Sequence, residues 1–253
     1  MKDVGIGIIG LGNVGGGTLT ILSENAAEIA RKLGFGLRVV AVCSRNPAAR
    51  SLPAGAAPAL VTSDWREVVA HPDVEIVAEL VGGTSVAAEI VEAALDAGKS
   101  VVTANKELAA LRGAELWRKA EARGAALAME ASVCGGIPIH AVLREGIAGD
   151  RVEALFGILN GTSNYILTEI EQHGAPFDDV LAEAQRLGYA EADPAADVDG
   201  YDARSKLVLL ASLAFGVRLQ PASVPTEGIR RVSPIDFEYA RQLGCTIRLL
   251  CAA

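Results

Sequence analysis

Residues 4–9, VGIGII, run directly into GLGNVG at residues 10–15, and this junction decides how the first half of the chain folds. The apolar hexapeptide predicts a short buried strand. A helix of mixed apolar and charged residues follows to about Leu33, and Leu37 to Cys43 predicts a second buried strand. Strand, G-x-G-x-x-G, helix and strand in that order are the unit of a dinucleotide-binding fold. Gly10 permits the tight turn, Gly12 lets the backbone approach a pyrophosphate, and Gly15 lets helix and strand pack closely. Asn13 and Val14 open the helix, whose free amides and positive dipole end favour phosphate. Gly10, Gly12, Asn13, Val14 and Gly15 are therefore the expected cofactor contacts of this loop.

The second strand ends in Cys43-Ser44-Arg45-Asn46, where an NAD-preferring fold usually carries an acid for the ribose hydroxyls. Arg45 can accommodate a 2′-phosphate instead, so the reading leans to NADP, with NAD possible; an ordinary surface arginine is the alternative. Strands and helices then alternate. Val74 to Leu80 predicts a strand that opens onto Gly82-Gly83, and Val86 to Ala97 a helix stopped by Gly98. Ser100 to Thr103 predicts a strand, Ala104-Asn105-Lys106 leads into a helix to about Arg123, and Ala125 to Met129 predicts a further strand. Repeated βα units imply a parallel sheet with helices on both faces, whose ligands bind beyond the carboxyl ends of the strands. Gly82, Gly83 and Lys106 belong to that edge and are expected to face the cofactor.

Glycines and a proline interrupt this rhythm at EASVCGGIP, residues 130–138, a plausible entry to a second domain. We place a dinucleotide-binding domain at 1–135 and a substrate-binding or catalytic domain at 136–253. In the second, Arg151 to Leu159 predicts a strand, and a helix runs from Tyr165 with Thr162 or Ser163 as its N-cap. The same small residues and amides, Gly161 and Thr162 included, could hold a substrate carboxylate at the helix start.

Five carboxylates (Glu191, Asp193, Asp197, Asp199 and Asp202) fall within twelve residues, and Lys206 follows four positions after the last. Pro194 and Gly200 break regular structure, so 189–200 predicts a loop. The helix from about Asp202 to Phe215 is apolar nearly all round and should be buried. Lys206 shares a helical stripe with Asp202, Leu210 and Leu213. An ordinary i,i+4 ion pair beside a solvated acidic loop accounts for these residues, as does a catalytic lysine among carboxylates. A divalent-metal site is a third reading, weakened by the lysine and by spacing unlike an EF-hand loop.

With 23 basic and 31 acidic residues the net charge is −8, which argues against nucleic acid as a main partner. No apolar run approaches the about 18 residues of a membrane span, and the first ten residues carry no signal-peptide pattern. Four scattered cysteines (43, 134, 245 and 251) lack metal spacing and fit a reduced, cytoplasmic protein.

In combination the motifs become recognisable. GLGNVG at 10–15, TANKE at 103–107, EASVCGGIP at 130–138, GILNGTSNYIL at 157–167 and GYAEADPAADVDGYDARSK at 188–206 occur in the order found in homoserine dehydrogenases, which the chain resembles over nearly its whole length. The resemblance implies a Rossmann-type doubly wound α/β domain followed by an α+β substrate and dimerisation domain. It implies an oxidoreductase interconverting L-homoserine and L-aspartate 4-semialdehyde for threonine and methionine synthesis, with a small amino-acid substrate and no nucleic-acid or membrane partner. By matching motif position, Lys206 would be the general acid/base, Asp202 would orient substrate or lysine, and Lys106 would lie between nicotinamide and substrate. Glu191 would hold the substrate ammonium, with Asp197 supporting an acidic wall. A monovalent cation, usually sodium, would be held largely by backbone oxygens of Glu130, Val133, Gly135 and Ile137 and would order the hinge between domains.

Family members normally continue past this point with further strands of the catalytic domain, on which a homodimer is built, and a return helix. Here the chain stops within an apparent strand at residues 245–253, and no regulatory module is visible. An amino-acid dehydrogenase acting at the amine carbon, and a cofactor-binding relative or fragment without turnover, are the competing readings.

Overall fold

A computed structural model describes residues 3–47, 52, 53 and 55–253 of the chain; Met1 and Lys2, which begin the stretch read for a signal peptide, lie outside them. The chain divides into two compact units, Met1–Gly136 and Ile137–Ala253.

The first unit runs β1 (Asp3–Ile9), α1 (Asn13–Glu24), α2 (Ala26–Leu33), β2 (Gly36–Cys43), β3 (Leu60–Thr62), α3 (Trp65–Ala70), β4 (Ile76–Glu79), α4 (Val86–Asp96), β5 (Ser100–Thr103), α5 (Lys106–Ala122) and β6 (Leu127–Ala128). All six strands are parallel, in spatial order β3-β2-β1-β4-β5-β6. This is the doubly wound arrangement, in which the order reverses between β1 and β4. Its strands are near-continuous apolar runs because helices cover both faces. Ile8, Val40, Val42 and Val77 are fully buried within it, as are Ile90 and Leu95 of α4.

The helix expected to reach Leu33 is two helices. Asn25 sits between them at φ −104° and ψ 14°, outside helical geometry. Asparagine competes for local backbone bonds and favours such a break. Asn105 caps α5 by accepting the Leu108 N–H at 3.1 Å, so Lys106 is the first residue of that helix.

The second unit runs α6 (Ile139–Ala141), which continues into a π turn at Val142–Gly146, then β7 (Phe156–Gly157), α7 (Gly161–His173), α8 (Phe177–Arg186), α9 (Ala195–Val198), α10 (Tyr201–Phe215), α11 (Pro234–Gln242) and β8 (Cys251–Ala252). Ile166, Leu167 and Ile170 of α7 pack with Val180 and Ala184 of α8, Val198, Ile229 and Phe237. Each of the larger side chains contributes about 1.5–3 kcal/mol by leaving water. A smaller cluster gathers Ala203 and Leu207 of α10 with Cys251, flanked by Leu155, Leu159 and Leu249.

Two expected strands shrink here. Arg151 to Leu159 and Cys245 to Ala253 pair antiparallel only over 155–157 and 251–253, Phe156 with Ala252 and Gly157 with Cys251, with Leu155 and Ala253 exchanging backbone bonds at the end. A strand exists only where a neighbour accepts its ladder bonds, whatever its side-chain alternation. Residues 189–200 are not wholly loop, because the short α9 follows Pro194, its N-cap, and the Asp193 side chain accepts the Ala195 N–H at 3.1 Å. Helix α10 does lie deep, with Leu207, Val208, Leu209, Leu210 and Ala211 buried.

Candidate active site

Two clusters of the expected residues take shape, one in each unit. In the second unit they converge on α7, α9 and α10. Lys206 and Asp202 face each other one turn apart on α10, with Lys206 Nζ 2.6 Å from Asp202 Oδ2. Their side chains are 18% and 5% exposed, so the pair is far from an ordinary solvated one. Lys206 Nζ also donates to the Leu159 carbonyl at 2.9 Å.

Asn160 organises the surroundings. Its Nδ2 donates to Asp197 Oδ1 at 2.6 Å and to Asp202 Oδ2 at 2.9 Å, while its Oδ1 accepts the Ser163 N–H at 2.7 Å. Asn160 therefore caps α7, where Thr162 or Ser163 was expected to do so. The Ser163 hydroxyl instead donates to the Asp197 carbonyl at 2.9 Å, and the Thr162 hydroxyl to the Tyr189 carbonyl at 2.8 Å. Gly161 is the first residue of α7, and open space lies where its Cβ would be. The first amides of a helix have no intrahelical acceptor, so this turn can receive a carboxylate.

The acidic run is not one wall. Asp197, half-buried, and Asp202, buried, join the lysine cluster. Asp193 caps the next turn, and Asp199 pairs with Arg230 at 2.5 Å. That guanidinium holds the Asp199 carboxyl below the usual carboxylate range. Glu191 is exposed, and its carbonyl accepts Gln185 Nε2 at 3.0 Å. The Cys251 thiol lies 3.8 Å from the Ala203 carbonyl, and burial raises its pKa, which disfavours the thiolate.

In the first unit the glycine loop fits a dinucleotide. Gly10 has φ +103°, and a Cβ on Gly15 would stand 1.8 Å from the Gly10 carbonyl oxygen, so neither position admits a side chain. Gly12 differs, since nothing lies within 4 Å of its missing Cβ. That open side is the space a pyrophosphate needs next to the start of α1. Asn13 and Val14 form the exposed first turn of α1, and Arg45 is exposed just past the end of β2. Gly82 and Gly83 follow β4 with φ +76° and +71°, and Asn105 Nδ2 donates to the Gly83 carbonyl at 2.6 Å. The loops that precede α4 and α5, Lys106 included, are thus tied together at the carboxyl edge.

Of the residues expected to offer backbone oxygens to a cation, Glu130 begins a 3₁₀ turn and its carbonyl accepts the Val133 N–H at 3.4 Å. Val133 is buried, and Cys134 and Gly135 follow with φ 58° each, two consecutive residues in the left-handed region. The Ile137 carbonyl, in the second unit, accepts the Ile139 N–H at 2.8 Å.

Asn160 was missed as a site residue by sequence reasoning, and Ser163 was read only as a cap or as part of a carboxylate-binding helix start. Their signal is present in GILNGTSN, but an asparagine before a helix reads as a cap and nothing more.

Comparison with known proteins places these two clusters in context. A family model described as "Homoserine dehydrogenase, NAD binding domain" matches residues 10–130, and one described as "Homoserine dehydrogenase" matches residues 138–253. The first unit thus carries the nicotinamide-nucleotide domain of that family. The curated homoserine dehydrogenase of Pseudomonas aeruginosa is 48% identical over all of this chain. The chain spans 58% of that relative's length. A crystal structure of a homoserine dehydrogenase from Thiobacillus denitrificans superposes with TM-score 0.95 at 50% identity, covering all of this chain and 58% of that one. A putative homoserine dehydrogenase from Archaeoglobus fulgidus superposes at 0.86 with 33% identity, covering all of this chain and 80% of that one. A hyperthermophilic archaeal homoserine dehydrogenase solved in complex with NADPH superposes at 0.79 with 27% identity, covering all of this chain and 79% of that one. Among the described residues, no helix is long and apolar enough to cross a membrane.

Proposed function

Because the chain belongs to the homoserine dehydrogenase family, we propose that it works as an NADP-linked oxidoreductase interconverting L-homoserine and L-aspartate 4-semialdehyde. The observation that carries this reading is the Lys206–Asp202 pair, a lysine ammonium withdrawn from solvent on a buried helix and held by a carboxylate and a backbone carbonyl.

A nicotinamide nucleotide, when bound, would supply the hydride chemistry that interconverts the aldehyde and the alcohol. The chain's own residues handle the proton and the charges. In reduction Lys206 gives one proton from Nζ to the forming alkoxide and stabilises its negative charge. In oxidation the neutral amine takes that proton from the alcohol. Asp202 orients Nζ, and Asn160 fixes Asp202 in turn. Glu191 and Asp197 supply counter-charge for the substrate ammonium, and the Gly161 and Thr162 turn of α7 receives its carboxylate.

In the first unit, Gly10, Gly12, Asn13, Val14 and Gly15 hold the pyrophosphate. Arg45 pairs with a 2′-phosphate, and Gly82, Gly83 and Lys106 border the nicotinamide half. Backbone oxygens of Glu130, Val133, Gly135 and Ile137 are assigned to a monovalent cation, sodium by preference. The protein is assigned to the cytoplasm and, where the remainder of the family's length is present, to a homodimer. Substrate binding is testable apart from turnover. Homoserine should bind the chain in the presence of NADP, and Asp197→Asn should weaken it about tenfold, the size of one charge-assisted contact; unchanged homoserine affinity would remove Asp197 from the site.

A further inference from the structure

Glu79 ends β4 and is fully buried, yet nothing in the chemistry above uses it. Its Oε1 accepts the Val81 N–H at 2.9 Å and its Oε2 the Thr103 hydroxyl at 2.6 Å. Thr103 Oγ1 in turn accepts the Asn105 N–H at 2.9 Å, and Asn105 Nδ2 reaches back to the Gly83 carbonyl at 2.6 Å. These bonds form a closed circuit from the β4 loop to the β5 loop and back.

A buried carboxylate is a poor device for stability, since an apolar residue of similar size often serves as well or better. What the circuit provides is geometry. It holds Val81 to Gly83 and Thr103 to Asn105 as one unit, so neither loop can shift without breaking a charge-assisted bond in a dry environment.

The sheet order says which half of a dinucleotide meets these loops. Arg45, past β2, lies on the adenosine side of the point where the strand order reverses, and the pyrophosphate belongs at the start of α1. The loops after β4 and β5 lie on the opposite side, where the nicotinamide half must extend.

We propose that Glu79 is a positioning residue for the nicotinamide half of the cofactor, shaping the two loops that border it without touching the ring. The proposal rests on the dinucleotide reading of the first unit. Glu79→Gln keeps the shape but removes the charge and one acceptor. Thr103→Val removes the hydroxyl that links the two loops.

The test is the affinity of the 253-residue chain and both variants for NADPH and for adenosine 2′,5′-bisphosphate, which lacks the nicotinamide half. NADPH should weaken on the order of tenfold in each variant, the size of one lost bond to a charged group, with the bisphosphate within about twofold of the parent. Equal weakening of both ligands would make Glu79 a general structural residue and overturn the proposal, as would unchanged NADPH affinity. If Glu79→Gln does not fold, Thr103→Val decides alone by the same two outcomes. A folded parent that binds neither ligand would overturn the dinucleotide reading itself, and this inference with it.

Discussion

Replacing Asn160 by alanine removes three bonds at once, and the structure says what each loss costs. The Ser163 N–H loses its cap, worth about 1 kcal/mol. The buried Asp202 keeps Lys206 but loses an amide donor, and Asp197, half-buried, regains water in place of its own. A hydrogen bond to a charged group contributes about 1.5–3 kcal/mol, and three bonds to one side chain do not add fully, so we expect the second unit to lose about 3 kcal/mol. The aromatic residues make this measurable. Both tryptophans, Trp65 and Trp117, lie in the first unit and all four tyrosines lie in the second. In a urea titration the tyrosine-reported transition should move to lower denaturant while the tryptophan-reported transition holds. A tyrosine shift under about 0.5 kcal/mol, within the range of an ordinary surface substitution, would refute the claim that Asn160 organises the carboxylates.

Other outcomes follow from the same geometry. Gly15→Ala forces a Cβ against the Gly10 carbonyl and should cost about 1–3 kcal/mol of stability together with nucleotide binding. Gly12→Ala meets only open space and should keep stability while losing NADPH affinity, measured by calorimetry; retained affinity would show that the pyrophosphate does not lie there. Arg45→Asp should weaken NADPH binding at least tenfold relative to NADH, as expected for loss of a charge-assisted phosphate contact; an unchanged ratio removes Arg45 from the argument. The Asp199–Arg230 pair predicts a pH dependence. Since Asp199 is held below its unfolded value, its contribution is present above about pH 4 and is lost as pH falls through the depressed folded value. Arg230→Ala should therefore cost about 0.5–1 kcal/mol at neutral pH, both partners being partly exposed, and the difference from the parent should vanish in acid.

The first unit was largely legible because its signals are local. Strand, glycine loop and helix lie next to one another in sequence, and the apolar runs of β1, β2 and β4 mark strands that end buried on both faces. The stripe joining Asp202 to Lys206 was legible for the same reason, since four residues make one helical turn. What escaped depends on distance along the chain. Asn160 meets Asp197 and Asp202 across 37 and 42 residues, and no local pattern distinguishes it from a plain helix cap. Glu79 looks like a stray acid in an apolar strand until Thr103 is brought beside it. The segments 151–159 and 245–253 have strand composition, yet pairing reaches only 155–157 and 251–253. Asp193 and Asp199 show the converse, because composition groups them with the site whereas a cap and Arg230 occupy them.

The most direct measurement is homoserine-dependent reduction of NADP by the 253-residue chain, run beside Lys206→Ala with the folding of both verified. Removing one partner of a buried pair costs about 3–5 kcal/mol, so the variant's fold has to be established before its rate is interpreted. We expect turnover in the parent and a loss on the order of a hundredfold or more in kcat for the variant, the scale of general acid/base catalysis. A folded variant that keeps the parent's rate would contradict the assignment of Lys206, and a folded parent that binds NADPH but shows no turnover would contradict the claim that this chain is a working dehydrogenase.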